Sequence, residues 1–92
     1  MQQTEILSTI EKAIRDVVNN QSLAVKADSK LIDDLGLESI DLLDVSSELE
    51  NAMGKEFDFK EVAEYVSKKS GKPADMKSMK VQDMLDYMST LN

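Results

Sequence analysis

One serine stands where a loop gives way to an acidic amphipathic stretch, in Asp34-Leu35-Gly36-Leu37-Glu38-Ser39-Ile40-Asp41. A serine hydroxyl becomes a nucleophile when a neighbouring base takes its proton. The chain has no histidine and no cysteine, so the familiar serine and cysteine triads cannot be built. Paired carboxylates do acid–base work in other settings, but here they read as exposed and without a pocket. The chemistry at Ser39 is therefore expected to be done to this chain, as attachment of a covalent group, and not by it. The structural reading of the same serine is a helix N-cap, for which serine is a favoured residue. The capping-box form of that reading is missing, because position 42 is leucine where Glu or Gln would be needed.

The charge pattern around the serine is the second signal. From Leu31 to Gly54 there are seven acids, Asp33, Asp34, Glu38, Asp41, Asp44, Glu48 and Glu50, and no lysine or arginine. Glu38, Asp41, Asp44 and Glu48 recur at spacings of three, three and four, which lines them along one helix face. Like charges so placed are mildly destabilising. A face that tolerates them reads as a recognition surface for a basic partner, against the plainer reading of a solvated face. The acids do not form a calcium loop. That pattern wants ligands at alternate positions followed by glycine, and both Asp28–Asp33 and Asp33–Glu38 fail it. No dedicated metal site is expected.

The elements that must position these residues follow from hydrophobic spacing. Ile6, Leu7, Ile10, Ala13, Ile14, Val17 and Val18 make one stripe, so a first helix is expected over about 5–18, with Thr4 as its cap and Asn19-Asn20-Gln21-Ser22 as its end. A long connection over about 19–38 follows, pinned by Leu23, Val25, Leu31, Ile32, Leu35 and Leu37. Asp28-Ser29 is expected to cap a short turn over 30–35, with Gly36 ending it in a left-handed conformation. The second helix is expected from Ser39, or just before it, to about Met53, ended by Gly54. Its apolar side is expected to be Ile40, Leu43, Leu49, Ala52 and Met53, with Leu42 and Val45 flanking. Asp58-Phe59-Lys60-Glu61 reads as a capping box opening a shorter third helix, which Lys68-Lys69-Ser70-Gly71-Lys72-Pro73 ends. Phe57, Phe59, Val62, Tyr65 and Val66 are its expected buried residues. A last helix is expected over about 79–91, capped by Ser78, with Val81, Met84, Leu85, Met88 and Leu91 inward. No window alternates strictly, so no strand is expected. The fold class is all-α, a four-helix bundle of three main helices and a shorter third, with a structured loop before the second.

Composition bounds the rest. Ninety-two residues make one small domain. Apolar content of 41% suits a globular fold, but aromatics are only 4%, so aliphatic side chains and methionine must fill the core. A net charge of −7 disfavours nucleic-acid binding. No signal peptide and no stretch able to span a membrane are visible, which makes the cytoplasm the default location. No heptad seam is present, which leaves a monomer as the default.

Asp34–Leu43 resembles the phosphopantetheine attachment site of acyl carrier proteins. The resemblance extends over most of the chain, through the first helix, the leucine-anchored loop, the acidic helix and Val81-Gln82-Asp83-Met84-Leu85-Asp86-Tyr87. It implies that a phosphopantetheinyl transferase, drawing on coenzyme A, attaches 4'-phosphopantetheine to Ser39, with Gly36, Leu37, Glu38 and Ile40 forming the immediate motif. The thiol of that arm carries acyl groups as thioesters, and the protein itself is not an enzyme. The resemblance also implies docking of the second helix on basic patches of acyl-loading and acyl-transfer enzymes, through Glu38, Ile40, Asp41, Leu43, Asp44 and Glu48. The physics of the position agrees, since a phosphodiester at a helix N-terminus meets free N–H groups and the positive end of the dipole.

Three departures from the family pattern point to a specialised acyl pathway. Glu38 stands where aspartate is most usual. Ser46 and Ser47 occupy positions commonly apolar in fatty-acid carriers. The segment Ser67–Lys80 is longer than typical and holds Lys68, Lys69, Lys72, Lys77 and Lys80 against one acid, Asp75. Two rival readings stand beside the acyl carrier: a carrier of aminoacyl or peptidyl groups, and an unmodified helical adaptor using an acidic groove to bind a basic helix.

Overall fold

In a computed structural model, residues 2–73 and 75–91 of the chain are described. Four α-helices follow in order: α1 Gln3–Val18, α2 Ser39–Met53, α3 Phe59–Ser70 and α4 Val81–Ser89, with a single 3-10 turn over Met76–Ser78. Among the described residues there is no strand, and the one bridge is the isolated antiparallel pair Lys30–Lys80.

The first helix forms for the reason its spacing gave, with Ile6, Ile10, Ala13 and Ile14 buried. It begins earlier than expected. Gln2 holds the cap position and its carbonyl accepts from Ile6 N–H at 3.0 Å, which puts Thr4 inside the first turn instead of at the cap. Asn19 ends the helix in the left-handed region at φ 55°, and the Asn20 N–H closes back on Arg15 O at 3.0 Å.

The connection to α2 is ordered by side chains and by its own hydrogen bonds. Val25, Leu31, Leu35 and Leu37 are buried, and Arg15 Nε donates to Leu23 O at 2.9 Å. The expected turn is present over 31–35, but Asp28 and Ser29 do not cap it. The Asp34 carboxylate accepts from Lys30 N–H at 2.8 Å, while Ser29 Oγ accepts from Lys26 N–H. Gly36 ends the turn at φ +71°, a conformation that costs a residue with a Cβ about 1–2 kcal/mol.

This connection also closes the start of α4. Leu31 N–H donates to Met79 O, Val81 N–H to Ser29 O and Gln82 N–H to Ala27 O, at 2.8–3.0 Å. The last two are N-terminal amides of α4, which have no partner within their own helix. Met79 is buried in the extended segment that makes this pairing and not on the helix. The last helix therefore starts at Val81, not near Met79. Ser78 bonds Asp75 in the preceding 3-10 turn instead of capping α4.

The third helix is capped as expected by Asp58, whose carboxylate accepts from Lys60 N–H at 2.9 Å. Glu61 does not complete a box there, because its carboxylate accepts from Tyr87 O–H across the bundle at 2.6 Å. With 12 residues α3 is longer than α4 with nine, so the shorter helix is the fourth and not the third. Helix α1 packs on α2 and α4, and α3 packs on α4. Phe57 and Phe59 meet edge to face with centroids 5.1 Å apart, and Tyr87 lies edge-on to both Phe57 and Tyr65. Met79, Met84 and Met88 fill the remaining interior.

Candidate functional site

The start of α2 holds the site. Leu35 and Leu37, buried on either side of Gly36, pin the approach to the core. The chain then emerges at Glu38 and enters the helix at Ser39. Leu37 serves the site as an anchor from beneath, only 2% exposed, while Gly36, Glu38, Ser39 and Ile40 are at the surface.

Glu38, not Ser39, occupies the N-cap position, in extended conformation at φ −104°. Its N–H donates to the Asp41 carboxylate at 2.9 Å. A box arm is thus present one residue earlier than a serine cap would need, which is why Leu42 at the fourth helical position does not weaken the helix start. Ser39 is the first helical residue. It is exposed, and its hydroxyl makes no hydrogen bond among the described residues. The N-cap reading of Ser39 fails on this geometry, because the capping work belongs to Glu38 and Asp41.

Two N–H groups, those of Ser39 and Ile40, open the helix without an intrahelical acceptor, and they sit at the positive end of the dipole. An anionic phosphodiester on Ser39 Oγ would fit such a place: the hydroxyl is exposed and makes no hydrogen bond among the described residues, and the first-turn donors are unspent. The residues that would hold the group are Ser39 covalently and the first-turn backbone electrostatically.

The helix below turns differently from the expected apolar side. Leu42, Val45 and Leu49 are buried, at 7%, 0% and 0% exposure, whereas Ile40 and Leu43 are 65% and 69% exposed. Ala52 is exposed too. Burial of each of the three inward side chains contributes about 1.5–3 kcal/mol, and that fixes the rotation of α2. At roughly 100° per residue, Ile40, Leu43 and Asp44 then point away from the core. Glu38, Asp44 and Glu48 are exposed, and Asp41 is half-buried with its carboxylate engaged at the cap. Ile40 and Leu43, which the spacing put on the apolar side of the helix, stand in solvent amid the acids.

One feature that sequence reading missed is the Glu61–Tyr87 bond. It pushes the Tyr87 phenol up to about 12, with burial and the charges of Glu61 and Asp58 acting the same way. Nothing in the local sequence of either residue signals a contact between positions 26 apart. Among the described residues no cluster of potential metal ligands is found, and no helix is long and apolar enough to cross a membrane.

Comparison with known proteins places this geometry. Residues 5–67 match the family model described as phosphopantetheine attachment site, a span that takes in most of α1, the connection, α2 and most of α3. Over 83 residues the chain is 32% identical to an acyl carrier protein of Campylobacter hominis, covering 86% of this chain and 89% of that protein. No solved structure matches. A model that spans most of the chain and a relative aligned along nearly all of it carry the same conclusion: the chain belongs to the acyl carrier protein family, with covalently attached phosphopantetheine as its prosthetic group.

Proposed function

We propose that Ser39 is the attachment residue and that the protein is an acyl carrier of the cytoplasm. It would act as a monomer and a carrier, not a catalyst, in a specialised acyl pathway of lipid or polyketide type. The observation that supports this reading is the uncommitted, exposed hydroxyl of Ser39 at the first position of α2. The hydroxyl oxygen attacks the pantetheine-side phosphorus of coenzyme A, forming the phosphodiester as the pyrophosphate P–O bond breaks and adenosine 3',5'-bisphosphate leaves. The hydroxyl proton passes to a base in the complex with the transferase. The attached arm supplies a thiol that holds acyl groups as thioesters. The role of this chain is to present that thiol and to bind the enzymes that use it.

Binding is assigned to the outer side of α2. Ile40 and Leu43 offer apolar contact, and Glu38, Asp44 and Glu48 offer charge to basic patches on the transferase and on loading and transfer enzymes. Such charges act chiefly on encounter rate and orientation. The half-buried Ser46 and the exposed Ser47 support a specialised cargo over the long-chain fatty acids. An aminoacyl or peptidyl cargo would use the same attachment chemistry, and identifying the group loaded on the thiol separates the two.

The test is intact mass before and after incubation with coenzyme A and a broad-specificity phosphopantetheinyl transferase. Fragmentation of the peptide from Leu31 to Lys55, which also contains Ser46 and Ser47, then locates the group. Addition of one phosphopantetheine on Ser39 is expected. Addition on Ser46 or Ser47, or none with the source organism's own transferase, would reject the assignment.

A further inference from the structure

Charge on this molecule is segregated, and the acidic helix accounts for only one half of the pattern. The segment 67–80 carries five lysines and one acid in a chain whose net charge is −7. Its lysines do not neutralise the acids of α2. Among the described residues the ion pairs are Arg15–Glu11 and Lys69–Asp86. Lys69 also lies 5.9 Å from the centre of the Tyr65 ring. Lys68, Lys72 and Lys77 are exposed and form no ion pair among the described residues.

The described residues of the segment are also held in shape on both sides of position 74, which a merely solvated lysine run does not require. Gly71 closes the end of α3, with its N–H on Ser67 O at 2.9 Å. Ser70 and Lys72 exchange hydrogen bonds. The only acid in the segment, Asp75, has its carboxylate taken by Ser78 N–H at 2.9 Å. Val66 of α3 lines one cleft with Asp75, Ser78 and Met79, so the 3-10 turn folds back beside the last turns of α3. Buried Met79, bonded through its carbonyl to Leu31, fastens the far end. Lysines displayed on a fastened backbone lose less conformational freedom on binding than lysines on a loose loop.

We propose that the segment 67–80 is a second docking surface, which selects partner proteins that carry an acidic patch as well as the basic patch that receives α2. The proposal rests on the carrier reading above and names the partner class: a surface of two opposite charges. A partner that turns a basic surface to this segment would be repelled by Lys68, Lys72 and Lys77, so the segment discriminates as well as attracts. An anionic membrane fits less well. Membrane-surface elements set exposed apolar side chains among their cations, and among the described residues the exposed large apolar side chains are Ile40 and Leu43 on the acidic helix. A net charge of −7 also opposes approach to an extended anionic sheet. A bounded acidic patch is felt mainly within a screening length of about 8–10 Å.

The experiment titrates the isotope-labelled full chain with a capped decaglutamate peptide at low salt and follows backbone amide shifts. Expected are saturable shifts over 67–80, lost on raising salt, and binding about tenfold weaker in K68E/K72E/K77E. The neutral variant K68Q/K72Q/K77Q should fall between the two. No shifts, or equal shifts at Lys12, Lys26 and Lys55, would overturn the proposal. Binding of phosphatidylglycerol vesicles in preference to the peptide, lost in the same variants, would overturn it in favour of a membrane. Ser39→Ala should keep peptide binding, and K68E/K72E/K77E should keep phosphopantetheine incorporation by the broad-specificity transferase. Failure of peptide binding with modification intact therefore sinks the second surface alone. Failure of modification with peptide binding intact sinks the carrier reading alone.

Discussion

Helices α2 and α4 begin with the same device and end up in opposite states. In each, an aspartate at the third helical position accepts the N–H of the residue before the helix, Asp41 from Glu38 and Asp83 from Lys80, both at 2.9 Å. Beyond that they diverge. The first two amides of α4, on Val81 and Gln82, are consumed by carbonyls of the 19–38 connection. The corresponding amides of α2, on Ser39 and Ile40, meet no protein acceptor among the described residues, and the hydroxyl beside them is free. A helix start that is already capped by Asp41 does not need its serine. That leaves Ser39 available for attachment at little structural cost, which the serine-as-cap reading would not.

The largest effect that would separate the two ends is loss of the connection itself. Leu31 is fully buried and its N–H bonds Met79 O. Leu31→Ala should destabilise the fold by about 2–5 kcal/mol, measured by urea unfolding, and amide exchange should quicken at Val81 and Gln82 more than along α1. Uniform loss of protection would show that the connection does not specifically close α4.

Gly36→Ala should cost about 1–2 kcal/mol, because φ +71° is left-handed. No neighbour lies within 4 Å of the position where its Cβ would stand, so the cost is backbone strain and not crowding. Since relief of that strain would re-aim the chain into Ser39, the rate of phosphopantetheine incorporation should fall as well. An unchanged rate would mean that the turn does not position the serine.

Asp41→Ala and Asp83→Ala should each cost about 1 kcal/mol as lost caps. They sharpen the comparison because α4 retains its two carbonyl acceptors. Fraying, read from amide exchange, should therefore be greater at Ser39–Leu42 in the first variant than at Val81–Met84 in the second. The reverse order would say that the α2 start is held by something else.

Tyr87 gives a control away from both helix starts. Its phenol, raised from 10.0 to about 12 by the Glu61 bond, holds its proton more tightly folded than unfolded. The stability from that bond is fully present below pH 10 and is lost as pH rises towards 12. Unfolding free energy should fall over that window in the parent and less in Tyr87→Phe, with neither helix start affected.

The sequence made the helices legible where one stripe dominated. Ile6, Ile10 and Ile14 left α1 a single way to face, and Gly36, Gly54 and Gly71 marked ends that the structure keeps. The second helix carries apolar residues at 40, 42, 43, 45 and 49, which contain two overlapping stripes. Spacing alone favoured Ile40 and Leu43. Packing against α1 chose Leu42, Val45 and Leu49, and so put the other pair outside. Met79 extended the α4 stripe by two residues because a buried methionine looks the same on a helix as on an extended segment. The carbonyls of Ala27 and Ser29 that cap α4, and the Tyr87 hydroxyl that takes Glu61, are long-range partners with no local signature. At the site, the motif around Ser39 was readable as residues, but the shift of the cap to Glu38 depended on backbone geometry.

One sample tests the central claim most directly: Ser39→Ala, taken through both transferase incubation and denaturant unfolding. With Ser39 as the attachment residue and Glu38–Asp41 as the cap, phosphopantetheine incorporation is lost altogether, while unfolding free energy stays within about 0.5 kcal/mol of the parent. Persistent incorporation, or a loss of stability of about 1 kcal/mol or more as expected for removal of a true serine cap, would contradict the account.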